Sequence, residues 1–314
     1  MTAKASETMT ANRPLHLAVV GSIGLDTIET PVEKRVDILG GSVSYACAAA
    51  SFFVKTGMVG VVGTDFPEAY EALYRRLGID TSGLQKQDGK TFRWSGVYER
   101  NMNARRTLST DLNVFESFSP KLPTDYRQAP CILLGNISPD LQLHVLDQAQ
   151  AATFVVADTM DLWIRIARED LMRVIARSGM LMLNDEEAEL LTGERSIRRS
   201  ADILLGWGPS HVVIKRGEYG AVLASRSGLF LVPAFPVDAV VDPTGAGDSF
   251  AGAFMGALAE AGSTDDKAMR RALLFGSVVA SFGVEAFSLD AFLNLTRADI
   301  DARFQTLLAM TRVE

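Results

Sequence analysis

Short apolar runs recur along the chain and alternate with segments of helical spacing. The apolar runs lie at residues 15–26, 57–63, 131–136, 153–158, 179–185 and 211–217, and each ends in Gly, Asn or Asp. Between them, the segments 65–78, 139–150 and 185–193 repeat apolar residues with the period of an amphipathic helix. This alternation predicts an α/β fold with three α/β/α layers around a doubly wound, mainly parallel sheet. Ligand sites in such sheets lie at the carboxyl ends of the strands.

Two segments interrupt this rhythm. Residues 26–41 and 90–109 alternate polar and apolar positions and contain no helical stretch, so each is expected to form a β-hairpin. Together they would make a small sheet beside the main domain, a lid that covers a ligand or forms a homodimer surface. No linker divides the remainder, so residues 14–314 are predicted to form one domain, after a disordered tail at residues 1–13.

Composition narrows the class of partner. The 314 residues carry a net charge of −7 and are 47% apolar and 22% charged, which is ordinary for a globular protein and unfavourable for nucleic acid binding. No stretch reaches the ~18 apolar residues of a membrane-spanning helix. Cys47 and Cys131 stand in apolar surroundings and are expected to be buried free thiols. We therefore expect a cytoplasmic protein without a nucleic acid or membrane partner.

The stretch VVDPTGAGDSFAGAF at residues 240–254 is the strongest candidate for chemistry. Pro243 disfavours helix at Asp242, and the two glycines allow a tight turn before a helix that is predicted to start near Asp248. Backbone N–H groups at a helix N-terminus lack intrahelical partners and attract anions. The amides expected to form this anion site are those of Gly245, Ala246 and Gly247, and the helix is predicted to run through Glu260.

Asp248 has two interpretations. One makes it the N-cap of the helix and the glycines a simple turn. The other makes it a general base, because a carboxylate among phosphate-binding amides suits phosphoryl transfer to an alcohol. The loop is not a Walker A loop, since it lacks the Lys and the glycine spacing. The polar residues Asp242, Thr244, Asp248 and Ser249, all within eight positions, favour the base.

The same stretch carries a resemblance to a known family. DPTGAGDSF at 242–250 resembles the C-terminal signature of the ribokinase-like (PfkB) carbohydrate and nucleoside kinases. Further matching segments follow in the family's order: GSIGLD at 21–26, GG at 40–41, GVVGTDFPE at 60–68, NDEEAELLTG at 184–193 and KRGEYGA at 215–221. The ordered set covers most of the chain.

The resemblance implies a site for ATP and Mg²⁺. It makes Asp248 the catalytic base and the amides of Gly245, Ala246 and Gly247 the anion hole. It also implies nucleotide contacts from Asn184, Lys215, Gly217 and Thr244, and a magnesium environment that includes Glu187 and Asp242. Asn184 and Glu187 also have the spacing of a helix capping box, and both interpretations can hold together. Lys215 is otherwise an ordinary charge at a strand end.

The acceptor side matches the family less completely. Asp26, expected at the end of the first strand, corresponds to the carboxylate that binds sugar hydroxyls, and Gly40 and Gly41 to the Gly-Gly pair that lets the substrate approach. Tyr45 stands where ribokinase-type members usually carry Asn. Gly24 likewise stands where a polar side chain is common. These departures argue against ribose or fructose and leave Tyr45 either a substrate contact or a core residue of its helix.

The leading hypothesis is an ATP-dependent phosphotransferase acting on a hydroxyl of a small sugar-like acceptor. A nucleoside kinase of the adenosine type or a cyclitol kinase is the alternative, and lid arginines at 93, 105 and 106 would suit an acidic acceptor. A non-catalytic sugar or nucleoside sensor predicts a decayed loop. A nicotinamide-dependent oxidoreductase rests only on VVGSIG at 19–24, which lacks the G-x-G-x-x-G spacing. Activation by K⁺ and dimerisation stay open.

Overall fold

A computed structural model describes residues 15–102 and 105–312, so the tail expected at 1–13 lies outside the described residues. The strands in this part of the chain are β1 (Leu17–Val20), β2 (Gly24–Glu29), β3 (Lys34–Gly40), β4 (Thr56–Gly63), β5 (Asp80–Gln87), β6 (Phe92–Tyr98), β7 (Arg105–Asp111), β8 (Cys131–Leu134), β9 (Phe154–Asp158), β10 (Met180–Asn184), β11 (His211–Lys215), β12 (Ala221–Ser225) and β13 (Gly228–Val232). The helices are α1 (Ser42–Ala50), α2 (Glu68–Arg76), α3 (Thr124–Arg127), α4 (Pro139–Gln148), α5 (Asp161–Ile166), α6 (Arg168–Arg177), α7 (Asp185–Thr192), α8 (Ile197–Leu205), α9 (Ala246–Ala261), α10 (Asp266–Gly283) and α11 (Arg297–Met310).

The main sheet has nine strands in the order β13-β12-β11-β10-β9-β8-β1-β4-β5. Neighbours from β11 to β5 pair in parallel, whereas β12 and β13 add an antiparallel edge. The chain starts at β1 in the interior of the sheet and winds outward in both directions, which confirms the doubly wound, mainly parallel architecture.

Helices cover both faces of this sheet because neighbouring residues of each strand point to opposite sides. In β1, Leu17 and Val19 pack in the core that also holds α1, α9 and α10, whereas Ala18 and Val20 pack in the core beneath α4, α6 and α8. Cys47 lies in the first core, and Cys47 and Cys131 are buried free thiols, as expected. In the part of the chain that the structure describes, no helix is long and apolar enough to cross a membrane.

The two irregular segments form one small sheet of order β3-β2-β6-β7. The expected hairpins are present as the antiparallel pairs β2–β3 and β6–β7, and the sheet is completed by parallel pairing of β2 with β6. One expectation is wrong: Asp26 does not end the first strand. It lies inside β2, at a bulge in the small sheet, because β1 ends at Val20 and the chain turns directly into a second strand.

Helix α9 packs closely against α1. A Cβ built on Gly252 would lie 2.1 Å from the carbonyl oxygen of Ala46, and one on Gly256 would lie 3.0 Å from the Cα of Ala50. Contacts this short leave room only for glycine. The small residues of α9 therefore allow the approach of a helix, α1.

Candidate active site

Three neighbouring strands bring polar side chains to the carboxyl edge of the main sheet. Asp158 ends β9, Asn184 ends β10 and Lys215 ends β11. Asn184 is directly paired with Lys215, and Asp158 is paired with Met182 one strand over. Parallel strands end on the same edge, so the loops after them and the start of α9 meet above it.

Lys215 and Asp158 form a largely buried ion pair. Lys215 Nζ lies 3.0 Å and 3.2 Å from the two carboxylate oxygens of Asp158, and the side chains are only 16% and 8% exposed. Burial alone lowers the pKa of Lys215, but the carboxylates of Asp158, Glu187 and Asp248 raise it above its ordinary value. Lys215 therefore stays protonated at neutral pH. It is a largely buried, ion-paired residue and not an ordinary exposed lysine at a strand end.

The glycine-rich loop enters α9 through a left-handed residue. Gly245 has φ 75° and is the N-cap of the helix, and a Cβ there would lie 2.3 Å from the ring of Tyr45. A side chain at this position is thus excluded by both backbone conformation and space. The Ala246 N–H donates to the carbonyl of Pro243 at 3.2 Å, so one of the three amides expected to be free has a partner inside the loop.

Asp248 lies in the first turn of α9 and is not the N-cap. The N-cap is Gly245, which has no side chain to cap the helix, so the interpretation of Asp248 as the N-cap is wrong. Burial, followed by the negative charge of Asp158, raises the pKa of Asp248 to about 7, while Lys215 lowers it. A carboxyl group with a pKa near 7 can accept and return protons at neutral pH.

Asn184 and Glu187 form the capping box that their spacing predicts. The Asn184 side chain accepts from the Glu187 N–H at 2.7 Å, and Glu187 Oε2 accepts from the Asn184 N–H at 2.8 Å. Burial raises the pKa of Glu187 to about 7, Lys215 lowers it and Asp158 raises it.

The described residues offer few side chains that could bind the metal ion implied by the family. In residues 15–102 and 105–312 no group of three or more His, Cys, Asp or Glu is arranged to hold an ion. Asp242 is nearly fully buried, accepts from the Thr244 N–H at 2.9 Å through Oδ1, and leaves Oδ2 without a partner among the described residues. One or two carboxylates beside a phosphate site fit Mg²⁺, which keeps several waters and binds largely through substrate phosphates.

Asp26 and the glycine pair lie where the small sheet meets α1, since Asp26 is in β2, Gly40 ends β3 and Gly41 caps α1. A Cβ on Gly40 would lie 1.9 Å from Asp26 Oδ2, so Gly40 makes room for this carboxylate. Gly41 has φ 93° and precedes α1. Asp26 is 4% exposed, and its Oδ1 has no partner among the described residues. Burial, with the charges of Asp242 and Asp248, raises the pKa of Asp26 to about 7.

Tyr45, in α1, is buried in the hydrophobic core. It is 2% exposed, its ring contacts the Gly245 turn, and its hydroxyl has no partner among the described residues. The core interpretation thus describes the ring, and a contact between Tyr45 and an acceptor stays a prediction. The space beside Gly24 is taken by Phe92, since a Cβ on Gly24 would lie 2.8 Å from that ring. Phe92 therefore lies next to Asp26, on the side where the acceptor is expected.

The small sheet contacts the loop directly. The Tyr98 hydroxyl is 2.9 Å from Thr244 Oγ1, which ties β6 to the residue expected to meet nucleotide. Arg93 forms ion pairs with Asp65, at 3.0 Å, and with Asp37. Its charge is therefore already neutralised, which weakens the case for an acidic acceptor. Arg105 lies over the Trp94 ring with its guanidinium carbon 5.7 Å from the centroid.

The sequence predicts most residues of this site, but it does not predict Asp158 and Tyr98. Gly217, with φ 53°, lies two residues after Lys215 at the end of β11, and its contact with the nucleotide stays a prediction. Asp158 was inside a predicted strand, and its place at the carboxyl end of that strand was the signal that could have found it. Tyr98 gave no such signal, because its contact with Thr244 joins residues 146 positions apart.

Comparison with known proteins agrees with this geometry. Residues 16–293 match the pfkB family of carbohydrate kinases. A cytidine kinase from Thermococcus kodakarensis is 34% identical over 248 residues, which cover 77% of this chain and 87% of that enzyme. A deoxyribokinase from Salmonella typhi is 26% identical over 289 residues, covering 84% and 92%. A solved Burkholderia thailandensis nucleoside kinase in complex with inosine has a TM-score of 0.76 at 21% identity, over 93% of this chain and 97% of that one.

The chain belongs to the PfkB family of carbohydrate kinases. It has the ribokinase-like fold and is an ATP-dependent kinase of a sugar or nucleoside, which confirms the predicted family and reaction class. The oxidoreductase alternative is thereby removed, and β1 indeed leads into strand β2 where a dinucleotide site needs a helix. The reaction class implies ATP and a divalent metal ion.

Proposed function

We propose that this protein is a nucleoside kinase that transfers the γ-phosphoryl group of ATP to a ribose hydroxyl of a pyrimidine nucleoside, cytidine first among them. The observation that carries the proposal is the 34% identity to a cytidine kinase across 77% of the chain. The acceptor side supports it, since Phe92 fills the space beside Gly24. An aromatic ring next to a hydroxyl-binding carboxylate suits an acceptor with a ribose at one end and a base at the other.

The proposed reaction uses Asp248 as the general base. Its carboxylate accepts the proton of the attacking hydroxyl while the oxygen bonds to the γ-phosphorus and the bond to the leaving ADP oxygen breaks. Amides of the Gly245–Gly247 turn, at the positive end of α9, stabilise the negative charge on the transferring group. Asp26 binds the remaining ribose hydroxyls through its carboxylate and so orients the nucleophile.

We propose Mg²⁺ as the divalent ion, held by the ATP phosphates near Glu187 and Asp242. When bound, the ion offsets the negative charge of the phosphates. Asn184, Thr244 and Gly217 would contact the nucleotide around it. Activation by K⁺ stays a prediction, and exchanging K⁺ for Na⁺ in the assay tests it.

An acceptor panel tests the function. With Mg²⁺ and ATP held constant, cytidine, uridine, adenosine, inosine, ribose and deoxyribose are compared by kcat/KM, and the product is identified by mass. We expect cytidine to exceed ribose by about tenfold or more, since a pocket that contacts the base gains affinity a free sugar cannot. An Asp248→Asn protein purified in parallel controls for contaminating kinases. A free sugar as the best acceptor would contradict the proposal.

A sugar kinase is the second candidate. The 26% identity to a deoxyribokinase over 84% of the chain favours it, and Asp26 would bind sugar hydroxyls equally well. The same panel separates the two functions, because deoxyribose or ribose then outranks every nucleoside.

A further inference from the structure

The Asp158–Lys215 ion pair lies directly behind the loop that is proposed to hold the transferring phosphoryl group. A Cβ built on Gly247 would lie 3.3 Å from Lys215 Nζ, so the ammonium packs against this glycine of the anion site. Lys215 thus stands between a carboxylate of the sheet and the first turn of α9. A cation at this place faces the negative charge that ATP would bring.

Asp158 is itself held rigidly. The Thr159 N–H donates to its Oδ1 at 3.0 Å, and its carbonyl accepts from Gln142 Nε2 at 3.0 Å. The same Nε2 donates to the carbonyl of Gly135 at 3.0 Å, and Gln142 is 1% exposed. The carboxylate therefore has a fixed position from which it can fix a partner.

Lys215 has other carboxylates within electrostatic reach. Its pKa is raised by Asp158 first, then by Glu187 and Asp248, after the opposing effect of burial. A lysine side chain is flexible, so its charge can follow whichever partner is strongest. Pairing with Asp248 would occupy the proposed base, and Asp158 competes against that pairing through two close oxygens.

We propose that Asp158 is a positioning residue for the kinase reaction: it holds the Lys215 ammonium beside Gly247, where Lys215 binds the phosphates of ATP, and keeps it from pairing with Asp248. The proposal rests on the proposed phosphoryl site and is independent of which acceptor the enzyme uses.

The direction in which Asp158→Asn changes the affinity for ATP distinguishes a positioning role of Asp158 from an effect of its negative charge alone. Asp158→Asn removes a negative charge near an anion site, so if Asp158 acted only through its charge, ATP binding would tighten. If Asp158 positions Lys215, binding weakens instead, because the buried ammonium loses its anchor. Once Lys215 is replaced by Met there is nothing to position, and Asp158→Asn is then expected to leave binding unchanged or tighten it.

A double-mutant cycle measures the direction of this change. Affinity for the non-hydrolysable analogue AMP-PNP with Mg²⁺ is determined by calorimetry for the parent, Asp158→Asn, Lys215→Met and the double variant. We expect Lys215→Met to weaken binding about 10- to 100-fold, as for loss of a charge-assisted hydrogen bond, and Asp158→Asn about 3- to 10-fold in the parent only. Lys215→Arg, which keeps the charge, should recover part of the loss. With the best acceptor from the panel, Asp158→Asn should also lower kcat.

Asp161→Asn is the matched control, because Asp161 follows Asp158 closely in the chain but is exposed and pairs only loosely with Arg165, at 3.9 Å. If Asp158→Asn fails to fold in thermal unfolding, Asp158→Glu replaces it. This variant keeps the negative charge but displaces the carboxylate that holds Lys215, so weaker AMP-PNP binding is expected, and binding equal to that of the parent overturns the proposal. Tighter or unchanged AMP-PNP binding in Asp158→Asn, unchanged binding in Lys215→Met, or weaker binding of the double variant than of Lys215→Met overturns the proposal. Failure of the nucleoside assignment shows up separately, as a parent enzyme that prefers a free sugar while binding AMP-PNP normally.

Discussion

Three carboxyl groups of the site share a raised pKa. Asp26, Glu187 and Asp248 each have a pKa of about 7, with burial as the first cause in every case. Removing a carboxylate from water favours its protonated form, and neighbouring negative charges add to the effect. Such shifts are typical of functional sites, where a carboxyl group exchanges protons near neutral pH.

Asp248→Asn keeps the size of the side chain and removes its capacity to accept a proton. We expect kcat to fall about 10²- to 10⁴-fold, with AMP-PNP affinity close to that of the parent. In the parent, the carboxylate form predominates above a pH of about 7. The kcat/KM profile should therefore rise about tenfold per unit below that pH and level off above it. Near-normal turnover of the variant would remove Asp248 from the role of base.

Asp26→Asn is expected to stabilise the protein above neutral pH while it damages function. The pKa of Asp26 is raised from 3.8 to about 7, so the folded state binds more protons between these values and the free energy of unfolding falls as pH rises through them. The neutral amide avoids this loss, roughly 1–4 kcal/mol above pH 7. Thermal unfolding should thus show a higher Tm at about pH 8 and a much smaller difference near pH 4. The exposed control Asp202→Asn should shift neither, and equal shifts at both pH values would mean that titration of the buried Asp26 carboxyl is not the cause.

At the scale of elements, the contact between α1 and α9 organises the site. Gly41 and Tyr45 belong to the start of α1, and Gly245 and Asp248 to the start of α9. The two helices meet at Gly252, where even a methyl group would clash with backbone. The acceptor side and the phosphoryl side are thereby parts of one rigid core.

Gly252→Ala tests this contact. The added Cβ would lie 2.1 Å from the Ala46 carbonyl oxygen, so the helices must separate. We expect a loss of about 1–3 kcal/mol in the free energy of unfolding by urea, and a lower kcat because Asp248 moves with α9. Gly276→Ala in α10 is the control, since the atoms nearest to its Cβ would belong to a side chain, the Phe250 ring at 3.1 Å, and not to backbone. Equal stability of the two variants would mean that the α1–α9 distance is not held by Gly252.

The hydrophobic periodicity and the strand ends predicted the positions of most site residues, but not how the helices around the site pack. Asn184, Lys215 and Asp248 could be placed because each stands at a strand end or a helix start, positions that local sequence specifies. The cap at Gly245 was missed because an aspartate three residues later is an equally good local candidate. The local sequence could not predict the partner of Gly252. A glycine in a helix indicates that another element can pack closely there, but it does not indicate which element does so.

At the scale of the whole molecule, the small sheet is anchored to the rest of the domain at several places, and one of them is a junction around Asp65 and Thr91. The Thr91 N–H donates to Asp65 at 2.7 Å, the Gly63 N–H donates to Thr91 Oγ1 at 3.0 Å, and Arg93 bonds the same Asp65. Beyond this junction, the strand β7 is exposed along its whole length. The small sheet is therefore held by this junction and by the Tyr98–Thr244 and Ser288–Leu39 hydrogen bonds, while its β7 edge stays exposed.

Dimerisation through the small sheet, which the sequence leaves open, is a prediction that we base on its exposed apolar side chains. Val36 is 61% exposed and Leu108 48%, both in strands at the edges of the small sheet. A second copy of the chain would cover these side chains. Light scattering after size exclusion should then give twice 34.0 kDa for the parent and a monomer for Val36→Asp with Leu108→Asp. A monomeric parent would contradict the prediction.

The packing of α1 on α9 also bears on how such an enzyme can diverge. Because these helices carry Asp248, the proposed base, and Tyr45, on the proposed acceptor side, substitutions at their contact are expected to disturb phosphoryl transfer itself. The strands β2 and β6, which carry Asp26 and Phe92, lie outside that frame, although Tyr98 of β6 also contacts Thr244 of the loop. Relatives that use different acceptors are therefore expected to differ mainly in the small sheet, near Asp26 and Phe92. The contact between α1 and α9, on which the proposed phosphoryl transfer depends, is expected to stay the same.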